Sequence, residues 1–468
     1  MTKPHGNRAR DALVAVALAA FSAANAQDGL YDDRFGNYLP GRTVYQAFDD
    51  DLESAAAIGV AADGSLILAG GAAAFRLSAS GLPDASFGSS VFGVDGLFVV
   101  QPFGENAGYL YAMSVGRQPD GKLLLSGWAE DANFHSQYVV CRTSADGVLD
   151  ASYGEDGCAS YVIEAGSSAF ALSAAVDAGG RVVVGGYGNF SFGQRMVVVR
   201  FDADGHLDIS FGTNGRTVLL RFAEIAGADT TEEFAALTLD ASGRVIVVGT
   251  AVLPSDRDFA VARLDANGRL DTSFGDGGAR LVDVAGAGLY DAASSVALQR
   301  SGRIIVGGHA VIPNGSEPGM TVVALTPQGS VDASFGNPAG HFIVWPYAAS
   351  SYAYCYGVAV QRDDRIVMAG YTLNTDNLGA AAKDMAIVRL MPNGDALDGT
   401  FATFGVFTDG FNFGSTDDAS RDDRLLAVAL QDDHIVAVGG ARDDWPNESF
   451  VAIRLTQDRL FVGDFELP

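Results

Sequence analysis

Along most of this chain apolar residues come in runs of about five to eight, alternating or wholly apolar, and Gly, Asp and Asn separate them. That pattern predicts short antiparallel β-strands joined by tight turns. One run recurs seven times, as DGSLILAG, DGKLLLSG, GGRVVVGG, SGRVIVVG, SGRIIVGG, DDRIVMAG and DDHIVAVG. The copies end at Gly70, Gly127, Gly186, Gly249, Gly308, Gly370 and Gly439, a mean period of about 61 residues. A second run follows each, and it carries Arg76, Arg142, Arg200, Arg263, Arg389 and Arg454, with Ala324 in the fifth copy. Five residues after that position stands a turn glycine (Gly81, Gly147, Gly205, Gly268, Gly329, Gly394), missing from the last copy. Eight residues after it begins a D-x-[ST]-[FY]-G turn, at Asp84, Asp150, Asp208, Asp271 and Asp332, with Asp398 one residue late. Each unit reads as four strands: one before the first turn, the two runs, and one after the aromatic turn. No amphipathic helix of twelve residues is apparent.

Seven four-stranded units predict an all-β, seven-bladed β-propeller of antiparallel blades. The chain ends support this. A lone fourth strand (41–48), preceded by the turn-like Asp32-Asp33-Arg34-Phe35-Gly36, opens the chain, and the seventh unit has only its first three strands. Seven whole blades require the N-terminal strand to join the C-terminal blade, which closes the ring and leaves no open edge. Strands of a membrane barrel run to about 9–11 residues, and these are shorter.

The paired motifs, [AV]-R-L-x-x-x-G-x-L-D-x-S-F-G followed by D-G-K-[IL]-[VL]-x-x-G, resemble those of the delta-60 repeat family across 30–456. The resemblance implies an uncharacterised secreted bacterial β-propeller and assigns no activity. Ala324, the FATFG stretch after Asp398 and the C-terminal unit depart from the pattern.

The first residues point to export. Lys3, Arg8 and Arg10 precede the apolar run 12–21, and Ala24-Asn25-Ala26 supplies a small-residue cleavage site. Residues 1–26 are expected to be a signal peptide and 27–468 a single propeller domain, secreted to the periplasm, the cell surface or the medium. With 57 acidic against 30 basic residues the formal charge is −27, so nucleic acid is not an expected partner, and no segment reads as a membrane span. Monomer is the expected state. Of three cysteines, Cys141 and Cys158 fall on neighbouring strands of unit two and pair only if the register puts them on one face.

A residue present in every unit reads as scaffold. Asp84, Asp150, Asp208, Asp271, Asp332 and Asp398 are expected to cap their turns, the turn aromatic to fill the seam between blades, and the third-strand Arg to bond the same turn. A rival reading makes Asp202-Ala-Asp204-Gly205 and Asp265-Ala-Asn267-Gly268 weak calcium sites; otherwise no cofactor is expected. The chain has no H-E-x-x-H, C-x-x-C, G-x-S-x-G or phosphate-loop motif. Loops between strands two and three and between units vary widely, and a meander places both on one face. Candidate ligand-binding residues there are Trp128, His135, Tyr347, Tyr354, Trp445 and Glu448, because function concentrates on variable loops over a rigid frame. The expectation is a binding or cell-surface module for an extracellular glycan, peptide or protein. Alternatives are a polysaccharide-active hydrolase or lyase using loop carboxylates, and a structural extracellular protein; whether it is an enzyme stays open.

Overall fold

The computed structural model describes residues 29–456 apart from 38–39, 46–53, 92–93, 105–106, 192, 220, 228–229, 287, 312–316, 337–339, 348–351, 376–380, 411–421, 433 and 443–447. The proposed signal segment 1–26 and Trp445 lie outside the described residues. The strands form seven antiparallel sheets, and the first strands of successive sheets touch all the way round, the seventh against the first. The molecule is the seven-bladed propeller the repeats predict. Six blades have four strands. In blade 1 a short extra strand, Ser89–Val91, pairs outside the fourth strand, Val94–Phe98. Among the described residues the one helix is the six-residue Arg221–Ala226, and no helix is long and apolar enough to cross a membrane.

Closure follows the expected route. Arg42–Tyr45 pairs antiparallel with Glu448–Leu455, with Arg42 opposite Ile453 and Tyr45 opposite Phe450. The preceding turn takes part as well. Tyr31 bridges Leu455, the same contact that Leu149 makes with Thr143 and Leu270 with Leu264 in complete blades. Asp32 to Gly36 is therefore the aromatic turn of blade 7, supplied from the other end of the chain.

The core lies between blades. Valine, isoleucine and alanine of the second and third strands are almost wholly buried, as in blade 4, where Val245 to Ala251 and Phe259 to Leu264 interleave with blade 3 or blade 5. The repeating glycine of the second strand has a steric cause. The first strand carries a bulge in six blades, for example between Ala112 and Ser114 and between Ala293 and Ser295. There a backbone carbonyl leans across the pair. A Cβ on Gly127 would overlap the carbonyl oxygen of Tyr111, and one on Gly439 that of Arg424.

The other repeating residues form one corner per blade. Arg200 Nε donates to Asp208 Oδ2 at 2.8 Å, while Asp208 Oδ1 accepts from Ser210 N at 3.0 Å and Ser210 Oγ at 2.5 Å. The same guanidinium reaches Ala266 O of the next blade at 2.6 Å and lies 4.7 Å above the Phe211 ring. Phe211 is wholly buried and packs on Gly268 of the next blade, whose φ of 77° and missing Cβ leave room for the ring. The same packing holds from Phe35 on Gly81 to Phe335 on Gly394. At the last seam Phe401 packs on Gly29, so the turn glycine absent from the seventh unit is also supplied by the N-terminus. Cys141 stands directly opposite Cys158 and is disulfide-bonded to it; Cys355 is free and buried.

Candidate functional site

The turns carrying these corners all emerge on one face, which is tied across blades by side-chain bonds such as Gln118 Nε2 to Gly180 O (2.7 Å) and Ala203 O (3.0 Å). Loops between second and third strands and the connections between blades emerge on the other face. There the first strand of each blade begins and the second ends, around the mouth of the axial channel.

The residue after the repeating glycine and its first-strand partner occupy this rim. In blade 2 they are Trp128 and Tyr111, in blade 3 Tyr187 and Phe170, and in blade 6 Tyr371 and Tyr354. In blade 5 they are His309 and Ala292, and in blade 4 Thr250 and Glu233. Trp128 stacks on Tyr111 with centroids 4.4 Å apart and meets Phe170 edge-on at 5.0 Å. Across the mouth Tyr354 lies 4.6 Å from His309 and 5.2 Å from Tyr371. Two aromatic rows from blades 2–3 and 5–6 thus flank the channel.

Beside the blade 5–6 row, over blades 4 to 6, opens a cavity of about 690 Å³ lined by Glu233, Arg257, Tyr290, Asp291, His309 and Tyr354 among others. Its lining acids are Glu233, Asp256 and Asp291, and Asp258 and Asp283 lie beside Asp256. Asp256 immediately precedes the third strand of blade 4, Arg257–Leu264, and Asp258 is its second residue; Asp283 follows the fourth strand, Ala279–Val282; Asp291 begins the first strand of blade 5. Asp258 and Asp283 lie one residue beyond the opposed pair Phe259 and Val282, so the register brings them face to face. Burial, with Asp256 and Asp283 nearby, pushes the Asp258 carboxyl up to about 6. Burial also raises Asp291 to about 7, against the pull of bonds from the Ala285 and Val284 amides. His309 is lowered to about 4 by burial and by Arg257, so near neutral pH it is an uncharged imidazole. Arg257 is engaged by Glu233. The cavity is aromatic and net acidic.

Of the residues singled out in the sequence, Trp128 and Tyr354 stand on this rim. His135 lies in the blade 2 loop beyond it, its backbone N–H held by Asp131 Oδ1 at 3.1 Å. Tyr347 is half-buried in the connection leaving blade 5, where its hydroxyl donates to Asp384 Oδ2 at 2.7 Å. Glu448 opens the third strand of blade 7. The acids 256, 258, 283 and 291, with Tyr290 and His309, carry no motif spacing. The sequence signal is a concentration of acids at both ends of one unit's variable loops.

Four segments, 118–153, 180–211, 241–274 and 299–335, match a family model described as a domain of unknown function (DUF5122) beta-propeller. Each begins at the turn between first and second strands or beside it, and ends on the turn aromatic. The match supports a β-propeller family of unknown function, and the delta-60 resemblance rests on the motifs alone. No curated protein matches the sequence. Among solved structures, a protein of unknown function from Dyadobacter fermentans DSM 18053 is similar at 11% identity and a TM-score of 0.37, over 76% of this chain and 96% of its own. The extracellular domains 1–2 of Drosophila semaphorin 1a give 11% and 0.40, over 89% and 88%. The Hadza microbial sialidase Hz136 gives 8% and 0.39, over 83% and 73%. These likenesses carry no argument about function.

Proposed function

We propose that the protein is an exported, monomeric binding module that takes a neutral or amino-bearing saccharide at the channel mouth on its variable-loop face. The observation that carries this reading is the placement of aromatic residues at one repeat-equivalent position of blades 2, 3 and 6, with Tyr354, the strand partner of the blade 6 residue, lining a cavity that also carries Glu233, Asp256 and Asp291. Aromatic faces supply apolar area to the carbon faces of a sugar ring, and convergent carboxylates accept its hydroxyl or ammonium protons. An acidic sugar is disfavoured, because Arg257 is already engaged by Glu233 and the remaining charges are negative. Export is supported by the N-terminal charge and apolar pattern and by the Cys141–Cys158 disulfide, a bond that persists in oxidising compartments.

A glycan and peptide array with residues 27–468 tests the ligand class. Retention of neutral or amino sugars supports the reading; retention of peptides alone, or of nothing, removes the saccharide. Release of product from a retained glycan would replace binding with the hydrolase or lyase reading. Recovery of the protein outside the cytoplasm with Gln27 at its N-terminus tests export, and an uncleaved cytoplasmic chain contradicts it.

A further inference from the structure

The acids beside the cavity are arranged for more than hydrogen bonding. One carboxylate oxygen from each of Asp256, Asp258 and Asp283 lies within 4.8 Å of the others. Oxygens that share a calcium ion sit roughly 2.3–2.6 Å from it and therefore up to about 5 Å from each other. From this geometry we infer that Asp256, Asp258 and Asp283, backed by Asp291, bind a divalent cation of the calcium type.

The carboxylates are held in place by the backbone. Asp256 Oδ2 accepts from Gly288 N at 2.9 Å and Asp283 Oδ1 from Gly286 N at 2.6 Å. Asp291 Oδ2 accepts from Val284 N at 2.6 Å and Ala285 N at 2.9 Å. The connection between blades 4 and 5 thus wraps the cluster and orients it before any ion arrives. A second observation is independent of the clustering. Asp291 is only 1% exposed, and its Oδ1 is buried with no hydrogen-bond partner; Asp258 Oδ1 is in the same condition. The Asp291 carboxylate is bonded through Oδ2 to the amides of Val284 and Ala285, the two residues that follow Asp283, so its unpartnered oxygen lies beside the cluster. A buried carboxylate oxygen without a donor is costly, and a cation between these groups removes both that cost and their mutual repulsion.

The donor set is all oxygen and all carboxylate, which selects hard cations over zinc or copper. Ligands drawn from a loop and two strand ends suit the flexible coordination of calcium better than the strict octahedron of magnesium. The acids of the Gly/Asp turns are differently placed. Asp265 Oδ1 already accepts Asn267 N and Arg269 N, both at 2.9 Å, and Asp271 Oδ2 accepts Arg263 Nε at 2.8 Å. Calcium binding and saccharide binding are measured separately, so either fails without the other.

The test is calcium titration of the chelator-treated full chain by calorimetry and thermal melting, with Asp258→Asn, the double variant Asp258→Asn/Asp283→Asn, and Asp265→Asn as a turn-face control. The wild type should bind one calcium per chain and gain several degrees in Tm. Asp258→Asn should weaken binding at least tenfold, the double variant should abolish it, and Asp265→Asn should keep it. Without calcium the double variant should melt at or above the wild type, because repulsion is gone; this also reports that it folds. No binding at millimolar calcium, binding that survives the double variant, or binding lost in Asp265→Asn overturns the inference.

Discussion

At the corner of blade 5 the repeating arginine is replaced by Ala324, yet the corner is intact. Arg303, from the start of the second strand, donates through Nε to Asp332 Oδ2 at 2.7 Å and through Nη2 to Ser334 Oγ at 3.2 Å. Its guanidinium lies over Phe335 at 5.7 Å, the place that Arg263 takes over Phe274 at 4.7 Å. In blade 4 the equivalent Arg244 bonds Asp240 Oδ2 at 2.6 Å and stays 4.0 Å from Asp271, which Arg263 already holds. Removing Arg303 should therefore cost about 2 kcal/mol, as loss of charge-assisted bonds at a largely buried site does. Arg244→Ala should cost below about 0.5 kcal/mol, the scale of an exposed pair. Urea denaturation of both variants separates them, and equal losses would refute the substitution of one arginine for the other. The turn aspartates also set the acid limb of stability. Burial opposes the charge of Asp208, but Ser210 and Arg200 outweigh it and hold the carboxyl below its ordinary value of 3.8. The folded state then binds fewer protons than the unfolded chain near pH 4. The contribution is complete above that pH and is lost as pH falls through the lowered pKa. Asp208→Asn should lower the urea midpoint at pH 7 and flatten its decline between pH 5 and pH 3; an unchanged acid limb would show that this carboxylate does not titrate with folding.

The glycine that marks each second strand is legible in the sequence as a repeat, but its reason is not, because the bulge it faces lies in a different strand. Gly127→Ala should cost more than about 3 kcal/mol or prevent folding, since Tyr111 O, Tyr111 C and Ala112 Cα crowd the new methyl and all are backbone. Gly399→Ala, with nothing within 4 Å and no positive φ, should change stability by less than about 0.5 kcal/mol. Thermal melts of the pair give the contrast, and similar losses would remove the steric account. The turn motif was legible in more detail: capping Asp, seam-filling aromatic and bridging Arg all follow from residue type and phase. The exchange of Ala324 for Arg303 was not, because the two positions are 21 residues apart in sequence and meet only through the pairing of second and third strands. The same limit applies to the rim. Trp128 and Tyr354 stand out as large aromatics on variable strand ends, whereas Asp258, Asp283 and Asp291 are unremarkable acids until strand register and a blade junction bring them together.

For the whole molecule, the ring closes through its N-terminus at three levels. Arg42–Tyr45 supplies the fourth strand, Asp32 bonds Arg454 at 2.7 Å, and Gly29 receives Phe401. The strand was legible because the two chain ends are complementary fractions of one unit; Gly29 was not, since it stands outside the motif that it completes. Deleting residues 27–50 should lower the melting temperature clearly or cause aggregation through the exposed edge of Glu448–Leu455, and an unchanged melt would contradict closure by this segment. A ring held by seven near-identical corners on one face leaves the other face free to carry distinctive residues. On the proposed function, binding resides there, at the channel mouth. The most direct measurement is a binding titration of a saccharide retained on the array against folded Trp128→Ala, Tyr354→Ala and Asp208→Ala. Either rim variant should weaken binding at least tenfold, while Asp208→Ala should lower stability and leave the affinity of the folded protein unchanged. Full affinity in both rim variants, or a loss confined to Asp208→Ala, would contradict the claim.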